Sequence, residues 1–202
     1  GASTPPSPST HVPSTQLEVQ RWLLQKGLPG TAAQSGALLH STQTLLTTPL
    51  RIESLAASPD GRRIVLEASM ANDIIWLFDV ERGPALSRLS FQPGDAESPS
   101  FSSAGRSVIY ATSLPAALVS TAMDGSGQSR TLIASGTEYW ESSSSKQGMV
   151  AYTEVRAGTR EDVFLLLPDG TRRALAETAF SEREPQFSPD GRWVALTSDE
   201  SD

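Results

Sequence analysis

Ala57-Ser58-Pro59-Asp60-Gly61-Arg62-Arg63-Ile64-Val65-Leu66 recurs near the end of the chain as Phe187-Ser188-Pro189-Asp190-Gly191-Arg192-Trp193-Val194-Ala195-Leu196. Each copy reads as the end of a strand, a tight turn and a second strand. Proline presets φ for the turn, glycine takes the positive φ, and β-branched residues suit the strand that follows. Two weaker copies lie between them, Phe101-Ser102-Ser103-Ala104-Gly105-Arg106-Ser107-Val108-Ile109-Tyr110 and Ser143-Ser144-Ser145-Lys146-Gln147-Gly148-Met149-Val150-Ala151-Tyr152. The first of these has Ser103-Ala104-Gly105 for Pro-Asp-Gly. The second has Ser145-Lys146-Gln147, and the alignment loses the glycine. The apolar positions Ile64, Val108, Val150 and Val194 fall at spacings of 44, 42 and 44. A period in the low forties with strand-type composition is the signature of propeller blades.

The rest of each unit follows the same order. A polar loop leads to a third strand, Asp73 to Val80 in the first unit and Asp162 to Leu167 in the third. Tight turns at Asp124-Gly125 and Asp169-Gly170 lead to fourth strands at Arg130–Ile133 and Arg173–Leu175. Strands joined by such short turns must be antiparallel. The third strands are apolar on both faces, from Ile74 to Phe78 and from Val163 to Leu167, whereas a sheet with one wet face would alternate. Stacking sheets around an axis covers both faces. A two-layer sandwich is the alternative, but it requires no such period.

Outside the repeat the chain changes character. Residues 1–14 are rich in proline and hydroxyls and read as a solvated linker or tail. Over residues 15–49, Thr15 and Glu18 have capping-box spacing, and Val19, Trp22 and Leu23 form one apolar stripe. A helix is therefore expected from Thr15 to about Lys26, stopped by Gly27, Pro29 and Gly30. Ala37-Leu38-Leu39 and Thr44-Leu45-Leu46-Thr47 read as short strands. Residues 50–202 form the propeller region, with three complete units and a fourth of two strands reaching Asp202.

Composition narrows the function classes. The 202 residues are 38% hydrophobic and 19% charged, with a net charge of -7, which fits a folded chain with a real core. A general nucleic-acid binder would carry a basic face, so no nucleic-acid partner is expected. Basic peptides, cations or neutral ligands suit an acidic chain better. With no cysteine there are no disulfides, thiolate metal sites or cysteine nucleophiles, and the compartment stays open. No run of 18 apolar residues exists to span a membrane.

No catalytic apparatus stands out. The two histidines, His11 and His40, have no Gly-X-Ser-X-Gly elbow to serve, and no His-Glu-X-X-His, Walker or Gly-X-Gly-X-X-Gly pattern occurs. No metal site and no cofactor are expected. Asp60 and Asp190 have a structural task in their turns. Trp76 and Trp193 sit in strands and are expected in the core, while Arg62-Arg63 and Arg172-Arg173 follow turns and are expected to face water. One pattern points to binding. A carboxylate precedes each signature turn: Glu53, Glu97, Glu138 or Glu141, and Glu182 or Glu184. Near the loop entering each innermost strand, these would form a broken acidic rim at one mouth of the central channel. Taking Glu53, Glu97, Glu138 and Glu184, with Tyr139 and Trp140 beside them, gives a surface suited to a basic peptide or cation. Solvated loop acids are the plainer reading of the same residues.

Ser58-Pro59-Asp60-Gly61-Arg62-Arg63 and Phe187-Ser188-Pro189-Asp190-Gly191-Arg192-Trp193-Val194-Ala195 resemble the signature of TolB-like, WD-repeat-like bacterial propeller repeats. The strand from Asp73 to Val80 is similar to that family's third strand. Phe180 to Phe187 resembles propellers fused to bacterial serine/threonine kinases or winged-helix regulators. The resemblance implies an all-β partial propeller of about four antiparallel four-stranded blades acting as a non-catalytic sensing or protein-interaction domain. It would belong to a larger bacterial envelope or signalling protein, periplasmic or otherwise extracytoplasmic, with the cytoplasm left open. The alternative it implies is the accessory propeller of a serine peptidase. Such propellers usually have six blades, so a fragment, or a ring completed by self-association, is expected.

Overall fold

The structure, a computed structural model, describes residues 15–23, 39–69, 71–134, 136–156 and 160–200. The chain divides into two compact units, Gly1–Arg51 and Ile52–Asp202. In the first, β1 (Thr15–Leu23) pairs antiparallel with β2 (Leu39–Thr48), from Thr15 opposite Thr48 to Leu23 opposite Leu39. The helix expected from Thr15 is therefore a strand as far as Leu23. Leu17, Val19 and Leu23 also fit a two-residue period, and a helix of about a dozen residues is marginal without support. Pairing with β2 satisfies the same backbone groups. The two segments expected around Leu39 and Thr44–Thr47 belong to one strand, in which His40 lies opposite Trp22. Residues 1–14 with His11, residues 24–26 and Ala37-Leu38 lie outside the described residues.

The second unit is a succession of antiparallel sheets in chain order. Sheet 1 contains β3 (Arg51–Ala57), β4 (Arg63–Ser69), β5 (Asp73–Asp79) and β6 (Leu86–Arg88). Sheet 2 contains β7 (Ala96–Phe101), β8 (Ser107–Ser113), β9 (Ala116–Ala122) and β10 (Ser129–Ile133). Sheet 3 contains β11 (Tyr139–Ser144), β12 (Val150–Arg156), β13 (Arg160–Leu166) and β14 (Arg172–Ala176). Sheet 4 has β15 (Glu182–Phe187) and β16 (Val194–Ser198) among the described residues. None of the described elements is a helix long and apolar enough to cross a membrane.

Sheet 2 explains why the inner strands do not alternate. Val108 and Tyr110 pack with Val65 and Ile75 of sheet 1. Ile109 and Ala111, their neighbours in sequence, pack with Val150 and Tyr152 of sheet 3. Successive side chains point to opposite faces, and both faces are core. Each valine or isoleucine among them, removed from water, contributes about 1.5–3 kcal/mol. This is the face-on-face stacking of a β-propeller.

The signature turn is built alike in all four sheets. Ser58, Ser102, Ser145 and Ser188 each accept a bond at the backbone carbonyl from the glycine three residues on, at 2.9, 2.7, 3.0 and 2.8 Å. Those glycines, Gly61, Gly105, Gly148 and Gly191, have φ of 70, 65, 83 and 70°. The serine hydroxyls then accept from the N–H groups of Arg63, Ser107, Met149 and Trp193. So the third unit keeps its glycine, against the alignment above. Its missing residue lies after Gly148: the turn serines are spaced by 44, 43 and 43, and the shorter link from Gly148 to Val150 turns the last two spacings into 42 and 44. Asp60 and Asp190 serve this turn: each Oδ1 accepts from the serine hydroxyl (2.5 and 2.6 Å) and from the N–H of Arg62 or Arg192 (3.0 and 3.1 Å). These bonds hold both carboxyls below the usual range.

Two side chains depart from expectation. Trp193 is 71% exposed rather than in the core. It precedes β16, on the last described sheet. Arg172 does not simply face water. Its Nη2 donates to Glu154, whose side chain is only 3% exposed, and its guanidinium lies 4.3 Å from the Phe164 ring centroid. A carboxylate this buried requires a cation, and β14 supplies it. Arg62, by contrast, is exposed and pairs with Glu81 at 3.4 Å.

Candidate functional site

The first strand of each later sheet breaks its register at one place, between Glu97 and Ser100 in β7, Tyr139 and Ser142 in β11, and Arg183 and Gln186 in β15. These are β-bulges, which re-aim side chains and recur beside functional sites. Ser98 and Glu184 occupy the bulges with φ of 53 and 56°, and Pro99 and Pro185 follow them. The Ser98 bulge is tied across sheets: its N–H donates to Oε2 of buried Glu67 at 3.0 Å, and the Ser54 hydroxyl donates to the same oxygen at 2.6 Å.

Just before the bulges, sheets 2 and 3 enclose a cleft of about 380 Å³ lined by Asp95, Glu97, Ala111, Thr112, Ser113, Ala116, Glu138, Tyr139 and Trp140. Glu97 and Trp140 are the second residues of β7 and β11, and Glu138 immediately precedes β11. Tyr139 is 2% exposed and packs against Tyr152, the ring centroids 6.0 Å apart. Tyr152 stacks on Phe164, under Arg172. The cleft floor therefore rests on a column that ends in the Arg172–Glu154 pair. Burial pushes the Tyr152 phenol up. Asp95 fastens the opposite wall. Its N–H donates to the Ser113 hydroxyl at 2.8 Å, and its Oδ1 accepts from Asn72 Nδ2 and the Asp73 N–H at 3.2 and 3.1 Å.

Negative charge concentrates here. Burial raises the Glu97 carboxyl above the usual range, and the charges of Glu67, Asp73, Asp95 and Glu138 raise it further. Glu141, one residue past Trp140, is likewise raised by burial first and then by Glu184 and Glu161.

The structure thus brings four of the expected residues together: Glu97, Glu138, Tyr139 and Trp140 line one cleft. Glu53 lies in β3 and Glu184 in β15, and neither lines it. The strand registers show why. Glu97 pairs with Ala111 and Arg183 with Thr197, while Tyr139, Ala96 and Glu182 occupy the preceding position of their strands. The Glu97 position is therefore Trp140 in sheet 3 and Arg183 in sheet 4. Glu138 corresponds to Asp95, and Glu184 to Ser98. The matching cleft between sheets 3 and 4, about 480 Å³, is lined by Val155, Arg160, Glu161, Ser181, Arg183 and Asp199. Sequence reading missed Asp95, whose Asp-Ala-Glu context carries no motif, and missed Arg172 as a support of the floor.

An acidic cleft with an indole at its edge offers ion pairing and cation–π contact to an ammonium or guanidinium. Among the described residues no three or more histidine, aspartate or glutamate side chains are grouped to hold a metal ion.

No protein-family model matches the chain, and no curated protein sequence matches it. Solved structures do. One assigned as TolB from Agrobacterium tumefaciens superposes with a TM-score of 0.64 at 20% identity, over 77% of this chain and 56% of the other. TolB from Acinetobacter baumannii gives 0.64 at 22% identity, over 76% and 39%. A nidogen/laminin complex gives 0.64 at 18%, over 78% and 60%. The chain thus spans roughly two-fifths to three-fifths of the length of these structures. At these identities the likeness carries the architecture alone: the chain has the fold of a TolB-like β-propeller.

Proposed function

We propose that this chain is a non-catalytic interaction domain of a larger bacterial envelope protein, acting outside the cytoplasm, and that it docks a basic protein or peptide partner. The observation that carries the reading is the cleft between sheets 2 and 3, where Glu97, Glu138 and Trp140 converge. A lysine or arginine entering it meets carboxylates that repel one another, so its charge relieves a cost already present in the free protein. The TolB and nidogen likenesses support the reading at the level of fold, and the nidogen structure is itself a protein complex. Self-association is part of the same proposal: among the described residues β16 has a hydrogen-bonded neighbour on one side only, and an open strand edge is a template for pairing.

The test is a titration with arginine- and lysine-bearing peptides against neutral and acidic peptides of equal length, read by tryptophan fluorescence with Trp140→Phe to assign the signal. Basic peptides alone should bind. Glu97→Gln and Glu138→Gln together should weaken binding by roughly tenfold and flatten its salt dependence. Equal binding of acidic peptides, or affinity unmoved by the double variant, removes the proposal.

A further inference from the structure

Four aspartates in this chain are followed by glycine: Asp60, Asp124, Asp169 and Asp190. Such a step can rearrange without an enzyme. The glycine amide nitrogen attacks the side-chain carbonyl carbon of the aspartate, and a C–N bond forms. The carboxyl, protonated from solvent, loses its hydroxyl together with the amide proton as water. The resulting five-membered succinimide takes up water at either carbonyl. One opening restores aspartate. The other leaves isoaspartate, in which the main chain runs through Cβ and Cγ. Glycine favours the attack because no Cβ crowds its nitrogen.

Much of what sets the rate is shared by the four steps. All four aspartates are exposed. Each Oδ1 accepts from the N–H two residues on, in Arg62, Ser126, Thr171 and Arg192, at 3.0, 2.9, 2.8 and 3.1 Å. Hydrogen bonds hold all four carboxyls below the usual range. The glycine amides differ. The N–H groups of Gly61, Gly170 and Gly191 donate to the carbonyls of Ser58, Leu167 and Ser188 at 2.9, 2.9 and 2.8 Å. The Gly125 N–H has no acceptor among the described residues. Its loop closes outside it, where the Ala122 N–H donates to the Gln128 carbonyl at 2.8 Å. Asp60 and Asp190 carry one bond more, from the hydroxyls of Ser58 and Ser188.

From this contrast we infer that Asp124-Gly125, between β9 and β10, is the chain's main site of spontaneous isoaspartate formation. An amide that donates a hydrogen bond must release it before its nitrogen attacks, and a bond of ordinary strength slows that step roughly two- to tenfold. Asp169 therefore reacts more slowly than Asp124. Asp60 and Asp190, with a further bond to release, react most slowly. Asp124, Gly125 and Gly127 help line a groove with Arg63, Arg82 and Arg88, and isoaspartate lengthens that wall by one backbone carbon. The acidic cleft plays no part in this chemistry.

The test is ageing of the folded 202-residue chain at body temperature, followed by tryptic mapping with fragmentation that separates isoaspartate from aspartate. Each step falls in its own tryptic peptide, 52–62, 107–130, 161–172 and 184–192. Isoaspartate should accumulate in 107–130 at least about twofold faster than in 161–172, and slowest in the other two. The same chain aged in concentrated guanidinium chloride reads the sequence alone, and there the rates should converge. Equal rates for Asp124 and Asp169 in the folded chain overturn the inference. So does a folded chain that gains no isoaspartate at Asp124. The same ranking, to the same degree, in guanidinium also overturns it, because the preference would then lie in the sequence and not in the free Gly125 amide.

Discussion

Replacing Arg172 by methionine keeps most of the side chain's length and removes its charge. Glu154, 3% exposed at its side chain, is then left as a carboxylate without its cation. Breaking a fully buried pair costs roughly 3–5 kcal/mol. Arg172 is itself 32% exposed, so water reaches the gap and lowers that figure. The lost cation–π contacts with Phe164 and Tyr152 add about 0.5–1 kcal/mol, and the methionine sulfur returns part of this. The expected loss is about 2–3 kcal/mol. In urea unfolding of the full chain this moves the midpoint down by roughly 1 M with the slope unchanged. Glu154→Gln should cost less, because its amide oxygen still accepts from Arg172. The double variant should cost less than the sum of the singles, giving a coupling of about 1 kcal/mol or more. A loss below about 0.5 kcal/mol for Arg172→Met, the level of an ordinary surface change, refutes the view that this pair anchors the column beneath Tyr139.

Glu97 titrates in the opposite sense to a salt-bridged carboxylate. Its folded-state pKa is raised, chiefly by burial, so its contribution destabilises above that pKa and vanishes below the ordinary glutamate range. Glu97→Gln should therefore stabilise the chain at neutral pH by a few tenths of a kcal/mol, the size of exposed charge effects. In thermal melts the gain should close as pH falls to about 4, and a variant less stable than the parent at pH 7 contradicts it. Gly61→Ala should cost about 1 kcal/mol through its φ of 70° alone, since nothing lies within 4 Å of the added carbon. Gly94→Ala should cost more, about 2–3 kcal/mol, because the carbon would sit 2.5 Å from the Ser113 Oγ that holds Asp95. Equal losses for the two would mean the Asp95 wall is soft. The 202-residue chain should run as a dimer in light scattering, and a monomer mass removes self-association from the proposed function.

The repeat was legible because its turn does identical work in every sheet. Ser58, Ser102, Ser145 and Ser188 each close the same hydrogen bonds, so backbone geometry dictates residue type and period alike. The two-faced apolar strands were legible for a similar reason, since Val108 and Ile109 serve different sheets. The N-terminal element was misread because Val19 and Leu23, four residues apart, satisfy both periods, and the partner that decides between them, β2, lies beyond a local window. Arg172 was misread because its partner is 18 residues away and across two strands, where no local pattern links them.

The acidic rim was only half legible, because the acids do not sit at equal offsets. The bulge falls at the same place in β7, β11 and β15, so counting back from the turn serine keeps the register. Glu97 lies five residues before Ser102, but Glu138 lies seven before Ser145 and Glu184 four before Ser188, so these acids occupy different places. In true register the Glu97 position carries Trp140 in the next sheet and Arg183 in the one after. Positions that face solvent are free to diverge in this way, whereas turn serines are not. Divergence makes neighbouring clefts chemically unlike, one acidic with an indole and one bearing Arg160 and Arg183. A continuous rim and a single cleft then make different predictions for Arg183→Gln. A rim would bind a basic peptide several-fold more tightly once that opposing charge is gone. A single cleft between sheets 2 and 3 would leave the affinity unchanged at about 0.15 M salt, where charges more than roughly 8 Å from the peptide are largely screened. An unchanged affinity is expected, and a several-fold gain would restore the rim.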